Sequence, residues 1–103
     1  MSTTPLNDAD LTKALADLPG WTVKDGDLNA SFKAARADLP GLYAAVAAAE
    51  DDANHHAGIT ILYGTVSFAL NTHDADGAIT EKDTALAARI SALATEHRAR
   101  PAD

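Results

Sequence analysis

Residues 51–74 read D-D-A-N-H-H-A-G-I-T-I-L-Y-G-T-V-S-F-A-L-N-T-H-D, and the periodicity changes twice along them. Up to about Ala53 the pattern is helical. From Thr65 to Thr72 it alternates, with Val66, Phe68, Leu70 and Thr72 on one side and Ser67, Ala69, Asn71 and His73 on the other, the signature of a strand with one buried face. Ile59–Tyr63 reads as a second strand and Gly64 as a turn or bulge, so the stretch is a helix end, a hairpin and a strand end. Three of the four histidines fall here: His55 and His56 at the helix end, His73 at the strand end. A hairpin between them can bring the two ends together.

Working outward, Asp38 reads as a helix cap with Pro40 in the first turn, opening a helix over Leu39 to about Ala53 with Leu42, Val46, Ala49 and Ala53 as its apolar stripe. Its small residues (Ala44, Ala45, Ala47, Ala48) allow close approach of another element or of a second subunit. Further back, Trp21-Thr22-Val23 begins a strand, Asp25-Gly26 is a tight turn, and Leu28–Ala34 returns with Leu28, Ala30 and Phe32 on one face. Trp21 reads as a core side chain. Asn7 caps a first helix carrying Leu11, Leu15 and Leu18, which Pro19-Gly20 ends. After His73, Asp74–Gly77 is a turn, Thr80 and Asp83 form a capping box, and Leu86, Ile90 and Leu93 mark a last helix to about Arg98, followed by a frayed Pro101-Ala102-Asp103. The order α-β-β-α-β-β-α predicts one α+β domain over residues 1–103, a four-stranded antiparallel sheet with helices on one face and an edge that a partner subunit can cover.

Composition narrows the function. Apolar residues make up 47%, yet 24 are alanine, so large core side chains are few and oligomerisation would help so small a domain. A net charge of −7 argues against nucleic acid and against an anionic membrane surface. No signal peptide or membrane-length apolar run is visible, so a cytoplasmic protein is the expectation. With no cysteine, thiolate chemistry is excluded. Between Arg36 and Lys82 lie 45 residues without Lys or Arg but with seven carboxylates. A site built from this segment has only histidine as a cation, which points to a neutral or weakly cationic ligand.

For the histidines, acid–base chemistry is the better reading. Imidazole changes charge near neutral pH, and two of them can give and take a proton in one turnover. Asp51, one turn before His55, is placed to orient that ring, adjacent histidines must diverge, and Asp74 beside His73 offers a second pair. A metal site from Asp51, His55, His56, His73 and Asp74 is the alternative, weakened by the adjacency of two ligands and the lack of a helical ligand pair.

The sequence resembles the pterin-4a-carbinolamine dehydratases. The family pattern is an acidic residue, three positions, His-His-Pro, an aromatic strand, Thr-His-(Asp/Glu), then a helix start. Here stand Asp51, His55-His56-Ala57, Tyr63, Thr72-His73-Asp74 and Thr80-Glu81-Lys82-Asp83, with Leu18-Pro19-Gly20-Trp21 before the first strand. The resemblance implies loss of water from a 4a-hydroxytetrahydropterin to give the quinonoid dihydropterin, with no metal and no organic cofactor. It makes His55 and His73 the acid–base residues, Asp51 the carboxylate supporting His55, and His56, Ala57, Thr72 and Asp74 the pterin-binding residues. It also implies a homodimer or homotetramer. Some relatives act as dimerisation cofactors or assembly factors, so a protein partner is the alternative role. Ala57 departs from the usual Pro and Asp51 from the commoner Glu.

Overall fold

The computed structural model describes residues 4–102. Asn7 caps α1 (Asp8–Ala16), its side chain accepting the Asp10 N–H at 2.8 Å. The hairpin β1 (Thr22–Lys24) and β2 (Asp27–Lys33) follows, then a 3-10 turn at Arg36–Asp38 that leads into α2 (Leu39–Ala53). A second hairpin, β3 (Gly58–Leu62) and β4 (Thr65–Leu70), precedes α3 (Glu81–Glu96) and a short β5 (Arg100–Pro101).

All pairings are antiparallel, in the order β1-β2-β4-β3. The expected count of four strands is corrected to five, because Arg100 and Pro101 pair with Lys33 and Phe32 of β2. β4 runs along one edge of β2 from Leu28 to Lys33, so β5 shares the other edge with β1. Proline is tolerated there because only one side of β5 is paired. The expected frayed end is thus a strand at Arg100 and Pro101, with Ala102 N–H bonded to Ser31 O at 2.8 Å; Asp103 lies outside the described residues.

β2 and β4 show strict alternation of burial. Leu28, Ala30, Phe32, Val66, Phe68 and Leu70 form the inner face, against Leu42, Val46 and Ala49 of α2 and Leu86, Ala87 and Ile90 of α3. Each large apolar side chain buried this way contributes about 1.5–3 kcal/mol. Trp21, Phe32 and Phe68 pack with ring centroids 5.9–6.4 Å apart, and the Trp21 indole N–H donates to Ser91 Oγ at 2.8 Å. Tyr63 turns the second hairpin in the left-handed region, φ 57°. Gly64 beside it packs so close to Ala34 O that a Cβ would sit 2.9 Å away. No helix among the described residues is long and apolar enough to cross a membrane.

Candidate active site

One arm of the site is the exit from α2. Asn54 adopts left-handed φ 50°, ψ 46°, and the His55 N–H closes onto Glu50 O at 3.1 Å. Asn is among the few residues that take this conformation readily. The reversal sends the neighbouring rings apart: His55 is buried and His56 exposed. Asp51, expected to support His55, instead lies 3.8 Å from His56 Nε2, with both side chains largely in solvent.

The other arm leaves β4. Thr72 is fully buried and bridges to Ala78. Its carbonyl accepts from Ala75 and Gly77 N–H, and its own N–H donates to Ala78 O. This knot holds His73 and Asp74 in an exposed 3-10 turn that Asp76 (φ 56°) and Gly77 (φ 83°) close.

Asp83 joins the arms. The capping box at the start of α3 forms as the sequence indicates, Thr80 N–H donating to Asp83 Oδ2 at 2.9 Å and Lys82 N–H to Thr80 Oγ1 at 3.2 Å. The same carboxylate also accepts the Thr72 hydroxyl at 2.8 Å on Oδ2 and meets His55 Nε2 at 2.5 Å on Oδ1. Because the Thr72 proton goes to Asp83, the 2.6 Å contact between the two threonine hydroxyls is donated by Thr80. Every donor is matched around one acceptor-only carboxylate.

That arrangement sets the tautomer. His55 Nε2 faces a carboxylate oxygen, so Nε2 carries the proton, and in the neutral ring Nδ1 presents a lone pair. Nδ1 has no hydrogen-bond partner among the described residues, and no buried side-chain polar atom among them lacks one. Nδ1 therefore keeps contact with solvent.

A cavity of about 270 Å³ is lined by His55, His56, Thr72, His73, Asp74 and Lys82, among others. Of the residues expected to form the site, these five apart from Lys82 come together; Ala57 lines a neighbouring groove with Tyr43, Glu50 and Ile61. Lys82 corrects the expectation that histidine is the site's only cation: it lies just past the lysine- and arginine-free segment and is folded in by α3. Among the described residues no group of three or more His, Asp or Glu is placed to hold a metal ion.

The profile of the pterin 4 alpha carbinolamine dehydratase family matches residues 4–93. The chain belongs to that family. A Streptomyces coelicolor protein provisionally named pterin-4-alpha-carbinolamine dehydratase is 37% identical over 100 residues, covering 96% of this chain and 99% of its own. A Mycobacteroides abscessus protein with the same provisional name is 42% identical over 87 residues, covering 82% and 90%. The crystal structure of a Brucella melitensis protein described as a transcriptional coactivator/pterin dehydratase superposes with a TM-score of 0.83 at 28% identity, covering 88% of this chain and 99% of that one.

Against this dehydratase family, Ala57 has a local explanation. Glu50, 6% exposed, reaches around the α2 exit and accepts the Ala57 N–H on Oε2 at 2.6 Å. Proline has no N–H to give. Ala57→Pro, although it restores the family's usual residue, is therefore expected to destabilise this chain by about 1–3 kcal/mol, the cost of stranding a buried acceptor. Urea unfolding of Ala57→Pro and of the Glu50→Leu/Ala57→Pro pair checks this: the double variant should regain most of the loss.

Proposed function

We propose that the chain removes water from a 4a-hydroxytetrahydropterin to give the quinonoid dihydropterin, with His55 and His73 as its acid–base residues. The observation that carries this reading is the Asp83–His55 bond, which leaves a lone pair on Nδ1 beside a cavity that His73 also lines. His55 Nδ1 takes the proton from the pterin ring nitrogen next to the hydroxyl-bearing carbon. His73, protonated, gives a proton to the departing hydroxyl, and the C–O bond breaks to release water. The ring nitrogen lone pair forms the new C=N bond, and proton exchange with water resets both rings. Each positioned acid or base contributes about 10²–10⁴-fold. His56, Thr72 and Asp74 bind the pterin, with Lys82 added to them; Ala57 acts on the loop rather than on the ligand. Asp51 supports His56, and the role of orienting His55 passes to Asp83.

The test is the dehydration rate of purified protein with 4a-hydroxytetrahydropterin. Acceleration by the unaltered chain and a loss of about 10²-fold or more in His73→Ala are expected. His73 is exposed and outside the core, so that variant should fold normally. An unchanged rate would sink its role as acid.

The chain acts as a homodimer or homotetramer in this reading. Among the described residues β3 is an edge of the sheet, and Tyr43, Ile61, Leu62 and Tyr63 near it are exposed, a combination that a partner subunit would cover. Sedimentation should give a mass of two or four chains, and Ile61→Lys should lower it. A second reading, a protein-binding role, is favoured by the same surface and by the coactivator description of the Brucella protein. It predicts a stable complex with a host protein and no acceleration of dehydration.

A further inference from the structure

Lys33 of β2 and Arg100 of β5 are direct cross-strand partners, and Thr65 of β4 pairs with Lys33 on its other side. Phe32, the neighbour of Lys33, is buried in the core, so alternation places this row on the open face of the sheet, away from the helices. Directly opposed like charges destabilise a sheet. Among the described residues neither Lys33 nor Arg100 has a carboxylate within ion-pair distance. A third cation joins them: Arg98 leaves α3 through a left-handed residue, φ 64°, a conformation uncommon for a residue with a side chain. Asp38 meets it only at 3.8 Å, on an Arg98 side chain that is 83% exposed. Thr65, Lys33, Arg98 and Arg100 line one cavity of about 440 Å³, floored in part by Ala34 and Gly64. In a chain of net charge −7, this local excess of positive charge runs against the overall balance.

We propose that this cavity is a binding site for a phosphoryl group, free or carried on a small molecule. Two guanidinium forks and an ammonium are donors with no acceptor capacity, and planar Arg forks match phosphate oxygens in pairs. A dianion between Lys33 and Arg100 converts their repulsion into attraction. The Thr65 hydroxyl, next in the row, supplies a further donor. The site is separate from the histidine cavity: Thr65 and Thr72 stand at opposite ends of the β4 arm, about 20 Å apart along an extended chain. Its occupancy stands independently of the dehydratase reading.

Thermal unfolding at constant ionic strength, with phosphate replacing chloride, tests it. The unaltered chain should show a saturable rise in Tm, as expected for a ligand of the folded state. Lys33→Gln should melt higher than the unaltered chain in chloride, because the repulsion is gone, and should lose the saturable response. Arg98→Gln, on an exposed side chain, should weaken the response with little change in chloride. Titrating adenosine monophosphate beside inorganic phosphate separates the two sources: tighter half-saturation by the nucleotide assigns a carried phosphoryl group, and equal half-saturation a free one. A non-saturating rise shared equally by Lys33→Gln, or a Lys33→Gln protein that melts lower in chloride, overturns the proposal.

Discussion

Asp83→Asn is expected to slow dehydration by about 10²–10⁴-fold in a protein that remains folded. The two side chains have nearly the same shape, so the change is one of hydrogen-bond polarity. Thr80 N–H is a fixed donor to the position of Oδ2, and the Thr72 hydroxyl donates there as well. An asparagine satisfies both only by placing its carbonyl oxygen at that position, which turns its NH₂ toward His55 Nε2. Nε2 must then accept, the proton moves to Nδ1, and the nitrogen left open to solvent becomes a donor rather than a base. An Asp→Asn change in a Ser-His-Asp triad inverts the tautomer in the same way, and there the rate falls with the geometry intact. Stability should change by only about 1 kcal/mol. Steady-state kinetics should show the loss in kcat with KM little altered, and ¹⁵N shifts of the His55 ring should report the switched tautomer. A rate equal to that of the unaltered chain would remove His55 Nδ1 from the role of base.

Phe68→Ala is expected to cost about 3–5 kcal/mol, the range for removing a buried aromatic ring. Phe68 sits mid-way along β4, paired with Ala30 on one side and Ile59 on the other. Its ring meets Phe32 edge-on at 5.9 Å and Trp21 at 6.4 Å. The Trp21 ring is itself held by its bond to Ser91. Domains of this size are stable by about 5–15 kcal/mol, so one substitution removes a large share. Chemical denaturation should show the midpoint fall. Activity should fall with the folded fraction, because β4 is the element that delivers Thr72 and His73.

Periodicity made the framework readable. Leu39–Ala53 and the alternation of β2 and β4 rest on spacing, which burial enforces. β5 was not readable, because a two-residue strand containing proline carries no periodic signal and is created by what β2 leaves unpaired. The site was half legible. The two histidine arms were visible as chain ends of regular elements, and the divergence of His55 from His56 follows from backbone geometry. Asp83 was seen only as a cap. Its second role had a signal, however: it precedes Leu86, Ala87 and Ile90 on the buried stripe of α3, and a carboxylate on an apolar stripe needs a buried donor. Glu50 on the inner side of α2, four residues after Val46, carries the same signal. Asp51 misled because helical spacing to His55 holds only while the helix continues, and it ends at Ala53.

Positions 55, 72 and 83 come from three segments whose side chains converge on the Asp83 carboxylate, so the base is held only while the first turn of α3 is seated. A helix end can open locally without global unfolding, and an opening of this turn frees the His55 ring to rotate and change tautomer. Catalytic competence is therefore a population as well as a geometry. The amide of Thr80, bonded to the same oxygen as the Thr72 hydroxyl, exchanges with solvent only when that turn lifts, and its hydrogen-exchange rate reads out the fraction of molecules in which the base is momentarily dismantled.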